Sequence, residues 1–378
     1  MQDVLVIGGG VIGLSLAYEL AGHGVRVTVV DQGAMGQEAS WAGAGMLIPG
    51  CLAKAHSPEA QLRAASFELW PEWTTRLREA TGIDNGHRLC GGMELLLAPG
   101  NRAWDGEVNG WGDEGVVAEP LTPVAALQIE PELTPALLAA YRLPAMAQVR
   151  NPRHLKALIA ACGQRNVTLK TGVGVHGFHR DGQRIVAVDT SEGRLSGGQF
   201  VICSGAWSAR LLSAAGCAST ITPVRGQMLL LNALPLPFTH VLNVGRRYLV
   251  PRPDGRILVG STEEAVGFEK RNTAAGVAGL LEFALSVVPR LKSATLERTW
   301  SGLRPGSPDE LPWLGPVPNH DNLFVAAGHF RAGLLLSPIT AVVMRQVLLG
   351  QPTTVPLEPY AAGRMTHGSE HAAQHPAG

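Results

Sequence analysis

The sequence lacks what commonly ties a chain to a charged polymer, a membrane or a disulfide scaffold. Basic and acidic residues balance at 31 each and form no long basic run, so the electrostatic footprint of a nucleic-acid partner is missing. Five cysteines, Cys51, Cys90, Cys162, Cys203 and Cys217, are scattered and odd in number, with no C-x-x-C pair. That pattern argues against a disulfide framework and structural zinc, and no metal is expected. Pro338 and Arg345 interrupt the apolar run from Leu334 to Gly350, and glycines with Glu19 interrupt the N-terminal one, so neither is expected to enter a membrane stably. Met1-Gln2-Asp3 leads straight into a strand without a basic, cleavable leader. A cytoplasmic chain with a small-molecule partner is therefore expected.

Glycine, by contrast, is abundant at 46 of 378 residues, so a single glycine motif says little until its context is added. Val4-Leu5-Val6-Ile7 reads as a strand buried on both faces. Gly8, Gly10 and Gly13 follow with the G-x-G-x-x-G spacing that turns the backbone sharply and brings a pyrophosphate to a helix N-terminus. A helical stretch and a second strand, Val25 to Val30, then end on Asp31, where a ribose hydroxyl needs an acceptor. Gln32 and Gly33 stand beside it with no arginine for a 2′-phosphate, which disfavours an NADP-type ligand. The plain alternative is a βαβ unit with a tight turn.

A second small-residue stretch, Gly36 to Leu47, is too poor in large side chains to build core, and a flat ligand could lie against it. Helical spacing over Pro58–Thr81 puts Leu62, Ala65, Leu69, Trp73 and Leu77 on one face. Beyond Gly82 short apolar runs alternate with Gly, Asn and Pro as in a second, sheet-based domain. A helix from Asn151 to Arg165, strands around 167–178 and 184–204, and the small-residue strand end Ser204-Gly205-Ala206-Trp207-Ser208 return to the first. Strands over 221–262 belong to the second again. A helix is expected over 274–288, a strand over 295–301, another over 322–327, and a helix over 334–349. Glu263 and Glu264 read as a solvated hairpin. No second G-x-G-x-x-G follows a strand, so a reductase holding FAD and a nicotinamide in two such folds is not expected.

The Gly8–Gly13 cradle with Asp31, the loop 39–47, the strand end 204–208, Gly302-Leu303-Arg304-Pro305-Gly306 and Gly328-His329-Phe330-Arg331-Ala332-Gly333 occur in an order that resembles FAD-dependent amine oxidases of the D-amino acid oxidase type. The likeness runs to about residue 360. It implies an α/β plus α+β fold, with a Rossmann-like FAD-binding domain of residues 1–85, 147–217 and 296–362. The implied substrate domain, of mixed or antiparallel sheet, takes 86–146 and 218–295, with 363–378 as a flexible tail. Val11 and Ile12 would meet the pyrophosphate, and Ala39, Ser40, Ala44, Gly45 and Met46 would line the flavin. Val175 would touch adenine. Gln32 and Gly205 join the expected cofactor contacts, and His329, Phe330, Arg331, Ala332, Gly333 and Leu334, with Gly328, would wrap the pyrimidine end of the flavin. Since no cysteine lies in that last loop, FAD should be bound without a covalent tether.

On the substrate side the resemblance puts Arg304 forward as a bidentate clamp for a carboxylate. Tyr248 offers a hydroxyl to the same group, and Arg331 a charge or a carbonyl. The implied reaction is oxidative deamination of glycine and other small amines to an imine, then glyoxylate and ammonia, with O2 reduced to H2O2 in the service of thiamine thiazole formation. No enzymic base is required, and His329 is expected to position rather than to abstract. D-amino acid or sarcosine oxidation, by an oxidase or a dehydrogenase, is the alternative with the same flavin contacts. A non-catalytic flavin-binding module ranks below it. The resemblance further implies a homo-oligomer and leaves open whether the imine passes to a partner enzyme.

Overall fold

The computed structural model describes residues 3–98 and 110–364. The segment 99–109 and all but the first two residues of the expected tail 363–378 lie outside these, and Arg364 of that stretch is tied to Asp309 at 2.8 Å. Asp3–Ile7 sits at the centre of a six-stranded sheet, flanked in parallel by Arg26–Asp31 and Gln199–Ile202. Thr168–Thr171 extends the sheet in parallel on one side and Leu323–Ala327 on the other. Trp313–Pro316 closes that second edge in the antiparallel sense. Because side chains alternate along a strand, Val4 and Val6 face one layer and Leu5 and Ile7 the other. The first layer is a core of four helices, Val11–Gly22, Pro58–Thr81, Asn151–Gln164 and Ser337–Leu348. The second is the antiparallel ribbon Val175–Asp181, Arg184–Thr190 and Gly193–Ser196, together with helix Ser208–Ala214.

The second sheet has eight strands, ordered Thr295–Gly306, Thr222–Asn232, Arg256–Gly260, Arg247–Pro251, Val241–Val244, Gly92–Leu96, Ala139–Leu143 and Glu119–Leu121. All neighbours are antiparallel except Val241–Val244 with Gly92–Leu96. Helix Ala274–Val287 covers one face, with Leu280, Phe283 and Val287 packed on Leu229, Leu231, Leu249 and Val259. The opposite face carries Met228, Tyr248 and Val250. This is the α/β plus α+β architecture with a mixed, mostly antiparallel second sheet that the sequence led us to expect.

Helix Pro58–Thr81 begins on Ser57, whose hydroxyl accepts the Ala60 N–H at 3.2 Å, and ends on Gly82 in the left-handed conformation, the usual start and stop chemistry. The last helix departs from the expected 334–349. It starts at Ser337, with Leu334 to Leu336 in turns. Pro338 explains the delay, since proline fits the first turn of a helix, where its missing N–H costs nothing. Thr295–Gly306 is longer than the expected 295–301 and pairs with Thr222–Asn232 as far as Thr222 opposite Gly306, carrying Arg304 into the second sheet.

Candidate active site

The two sheets share a cavity of about 1150 Å³, above the roughly 300–1,000 Å³ usual for a small ligand. At one end stands the glycine cradle. Gly8 has φ +119°, and a Cβ there would overlap the backbone of Cys203. Gly10 caps helix Val11–Gly22 with no side-chain hydrogen bond, so first-turn amides and the positive end of the helix dipole are offered to the cavity. Gly13 does not line it. A Cβ at that position would strike the Gly8 carbonyl oxygen, which makes Gly13 the residue that lets helix and strand touch. The Asp31 carboxylate is held by the N–H groups of Gly9 at 2.7 Å and Gly33 at 2.8 Å, and each of its oxygens keeps a lone pair for a ribose hydroxyl. Gln32, Val175 and Gly205 line the same cavity.

Ser40 has a part that the sequence did not suggest. Its hydroxyl accepts the Val11 N–H at 2.9 Å, and its carbonyl accepts from Asn151 Nδ2 at 2.8 Å. One of the two groups expected to meet a pyrophosphate is therefore engaged by the protein itself. Ala39, Ala44, Gly45 and Met46 line the cavity as expected, yet Gly43 and Gly45 are small for another reason. Cβ atoms there would collide with Asn151 and with the Val149 carbonyl. The loop's glycines answer to protein backbone as much as to a ligand.

From Gly328 to Leu334 the chain curls around the other end. Gly328, at φ +80°, packs on Ile221 and stays off the cavity, whereas His329, Phe330, Arg331, Ala332, Gly333 and Leu334 line it. Phe330 adopts φ +45°, rare for an aromatic residue, and its N–H is fixed by the Pro305 carbonyl at 2.9 Å. His329 is buried, with Nε2 at 3.1 Å from Thr340 Oγ1. Burial drives its pKa down to about 3, so it is a neutral group at working pH. His154, buried against Trp70 and Asn85, is driven down to about 3 as well, by burial and then by His87. Both imidazoles bind a proton more readily once unfolded. Their stabilisation is complete above the ordinary histidine pKa near 6.5 and is lost as pH falls from there toward 3. Two protons correspond to about 2.7 kcal/mol of stability per pH unit in that window. Urea unfolding as a function of pH checks this, and stability that stays flat between pH 6.5 and 4 contradicts it.

The remaining wall comes from the eight-stranded sheet. Trp300, Met228, Gly260, Tyr248, Asn243 and Glu94 occupy successive register positions, one after another across five inter-strand pairings, and Met228, Tyr248, Asn243 and Glu94 among them line the cavity. Gly260 is bare, and the Tyr248 ring lies where a Cβ would be. The Tyr248 hydroxyl points to Met228 Sδ at 3.4 Å, a weak acceptor from which it can turn to a better one. Asn243 Nδ2 donates to the buried Glu94 carboxylate. Beside this row stands Arg304, anchored through Nη2 to Ser261 Oγ at 2.5 Å and Nη1 to the Thr262 carbonyl at 3.2 Å. Its guanidinium lies over Gly226, where a Cβ would be 2.5 Å from Cζ. Arg331 donates to the Arg246 carbonyl at 2.8 Å and lies 3.6 Å from Glu263. Burial and repulsion by Arg304 lower its pKa, against the opposing charge of Glu263.

The expected residues thus gather around one cavity, with Gly13 and Gly328 outside its lining. Glu94, Met228, Asn243, Gly226 and Gly260 were not singled out beforehand. An acid in the apolar run Gly92–Leu96 and a bare position in Thr222–Asn232 were the available signals. Glu263 is exposed as expected, whereas Glu264 departs from the solvated hairpin reading. Glu264 is held by Arg225, by Thr262 and by Gln227 Nε2 at 2.7 Å, and Glu263 pairs with Arg246 at 2.6 Å.

Compared with known proteins, residues 3–347 match the family described as FAD dependent oxidoreductase. The chain belongs to that family. Among relatives of this FAD-dependent oxidoreductase is a glycine oxidase of Pseudomonas putida, 36% identical over 365 residues, which cover 95% of this chain and 98% of that one. A bifunctional protein ThiO/ThiG of Nostoc is 36% identical over 93% of this chain but 53% of its own length. The crystal structure of a glycine oxidase from Geobacillus kaustophilus superposes with a TM-score of 0.90 at 34% identity, covering 96% and 99% of the two chains. The cradle fits such a cofactor on the chain's own evidence. It has a glycine-led helix start whose first amide is held by Ser40, an oriented carboxylate at Asp31 and a cavity long enough to reach from Asp31 to Arg304.

Proposed function

We propose that this FAD-dependent enzyme deaminates glycine oxidatively, giving an imine that water converts to glyoxylate and ammonia while O2 becomes H2O2. Its place would be in thiamine thiazole formation. The observation that carries the reading is Arg304, a guanidinium fixed at two points inside the cavity that also holds the dinucleotide cradle. When bound, FAD supplies the two-electron acceptor. Arg304 grips the substrate carboxylate through its planar fork, and Tyr248 turns its hydroxyl from Met228 to the same group. With Arg331 close by, two guanidiniums face the same part of the cavity, which favours the carboxylate and lowers the pKa of an ammonium held beside them, raising the fraction of neutral amine. His329, neutral and buried, holds its loop and takes no proton.

Small substrates suit a pocket whose wall is made of Tyr248 and Met228. Cys203 is the cavity-lining cysteine among the described residues. It is buried, and burial pushes its thiol pKa well above the usual range, which supports FAD held without a covalent bond. The similarity of the chain to about half of a bifunctional ThiO/ThiG protein supports the biosynthetic role. A homo-oligomer is part of the same proposal and rests on the family resemblance.

Anaerobic titration with glycine, sarcosine and D-alanine, followed by flavin absorbance, tests the substrate. Glycine is expected to bleach the visible bands at least tenfold more efficiently than D-alanine on a kcat/KM scale, and admitting air should release peroxide. Faster bleaching by D-alanine or sarcosine would transfer the assignment to the corresponding oxidase. Bleaching without peroxide indicates a dehydrogenase, and a yellow protein that no amine bleaches would be a binding module.

A further inference from the structure

Arg252 follows strand Arg247–Pro251 and is 4% exposed. Its side chain reaches the cofactor loop, donating from Nη2 to the Ala44 carbonyl at 2.7 Å and from Nη1 to Gln148 Oε1 at 2.6 Å. Among the described residues, no carboxylate lies within ion-pair distance. The nearest acid, Asp254, is committed to Arg150 at 2.5 Å and Arg256 at 3.1 Å, and Arg88 adds a further positive charge to the neighbourhood. Buried charges cost several kcal/mol unless paired, and two neutral oxygens compensate this one only in part. A guanidinium kept there unpaired calls for a use. The group it touches is the backbone that resemblance assigns to the flavin.

We propose that Arg252 is a positioning residue for the cofactor: it fixes the Ala44–Met46 wall and places a net positive charge behind it, favouring the reduced, negatively charged flavin. This inference rests on FAD binding in the shared cavity. Burial first, and then Arg150, pulls the Arg252 pKa down to about 9, which still leaves the charge in place at neutral pH. Charge and hydrogen bonding can be separated by substitution. Glutamine keeps a donor without the charge, and lysine keeps the charge without the fork.

The experiment is a flavin midpoint potential, measured by dye equilibration on the FAD-loaded protein, alongside FAD affinity from the fluorescence of released cofactor. Arg252→Gln is expected to disfavour reduction about tenfold, a shift of about 30 mV to more negative potential for a two-electron couple, with Arg252→Lys close to the parent. Asp254→Asn, at a half-exposed position, removes the nearest negative charge and should favour reduction about threefold. It tests the same idea if Arg252→Gln does not fold. A parental potential in Arg252→Gln, or an unchanged or more negative one in Asp254→Asn, overturns the charge role. The failure of all forms, parent included, to hold FAD would instead overturn the cofactor reading, and the two failures are distinguished by whether the purified protein is yellow.

Discussion

Replacing Arg304 by methionine is expected to lower kcat/KM for glycine about a thousandfold. A guanidinium clamped on a carboxylate makes two charge-assisted hydrogen bonds, each worth about 2 kcal/mol. At about 1.4 kcal/mol per factor of ten, their joint loss amounts to about three orders of magnitude. Both constants should move. KM rises because the carboxylate loses its partner, and kcat falls because a loosely held amino acid spends less time aligned for reaction. Arg304→Lys should recover only part, since a point charge keeps attraction without the fork. Steady-state kinetics with glycine decides the matter, and an unchanged KM in Arg304→Met would refute the clamp. Thermal unfolding should move little, because the guanidinium that is lost lines a cavity that water can enter.

Gly226→Val should cost nearly as much while leaving the arginine in the sequence. The guanidinium occupies the space a Cβ would need, and since the obstacle is the far end of a flexible side chain, Arg304 swings aside rather than the strand distorting. The protein therefore folds and binds FAD, yet loses about a hundredfold to a thousandfold in kcat/KM, the larger figure matching the full clamp. Coupling gives the sharper test. Combined with Arg304→Met, the valine should add almost nothing, because both changes remove one interaction. Additive losses in the double variant would show that Gly226 serves something other than the arginine.

Much of this site could be read from residues alone because its parts are local. The cradle is a strand, three glycines and an acid within the first 31 residues, and each follows from a backbone requirement that sequence states directly. Arg304 and Tyr248 came from the resemblance. What supports them did not, because their support is made at a distance. Gly226 matters to a side chain 78 positions later, and Gly260 to a ring on the adjacent strand; only strand register brings them together. Arg252 was still less legible, since an arginine after Pro251 looks like any exposed charge until the fold buries it against Ala44. The late start of the last helix had a visible cause in Pro338, whereas the engagement of the Val11 N–H by Ser40 had none.

The row across the second sheet draws Met228, Tyr248, Asn243 and Glu94 from four different strands, while the cradle draws on a continuous opening segment. In an evolving lineage the two therefore answer to different pressures. A change at Met228 or Asn243 leaves the backbone of the cradle as it is while altering what the pocket admits, so descendants can explore new amines one strand at a time. A side chain at Gly8, which would strike the Cys203 backbone, costs every substrate at once. Diversity of diet over a constant cofactor is the history this division of the chain permits.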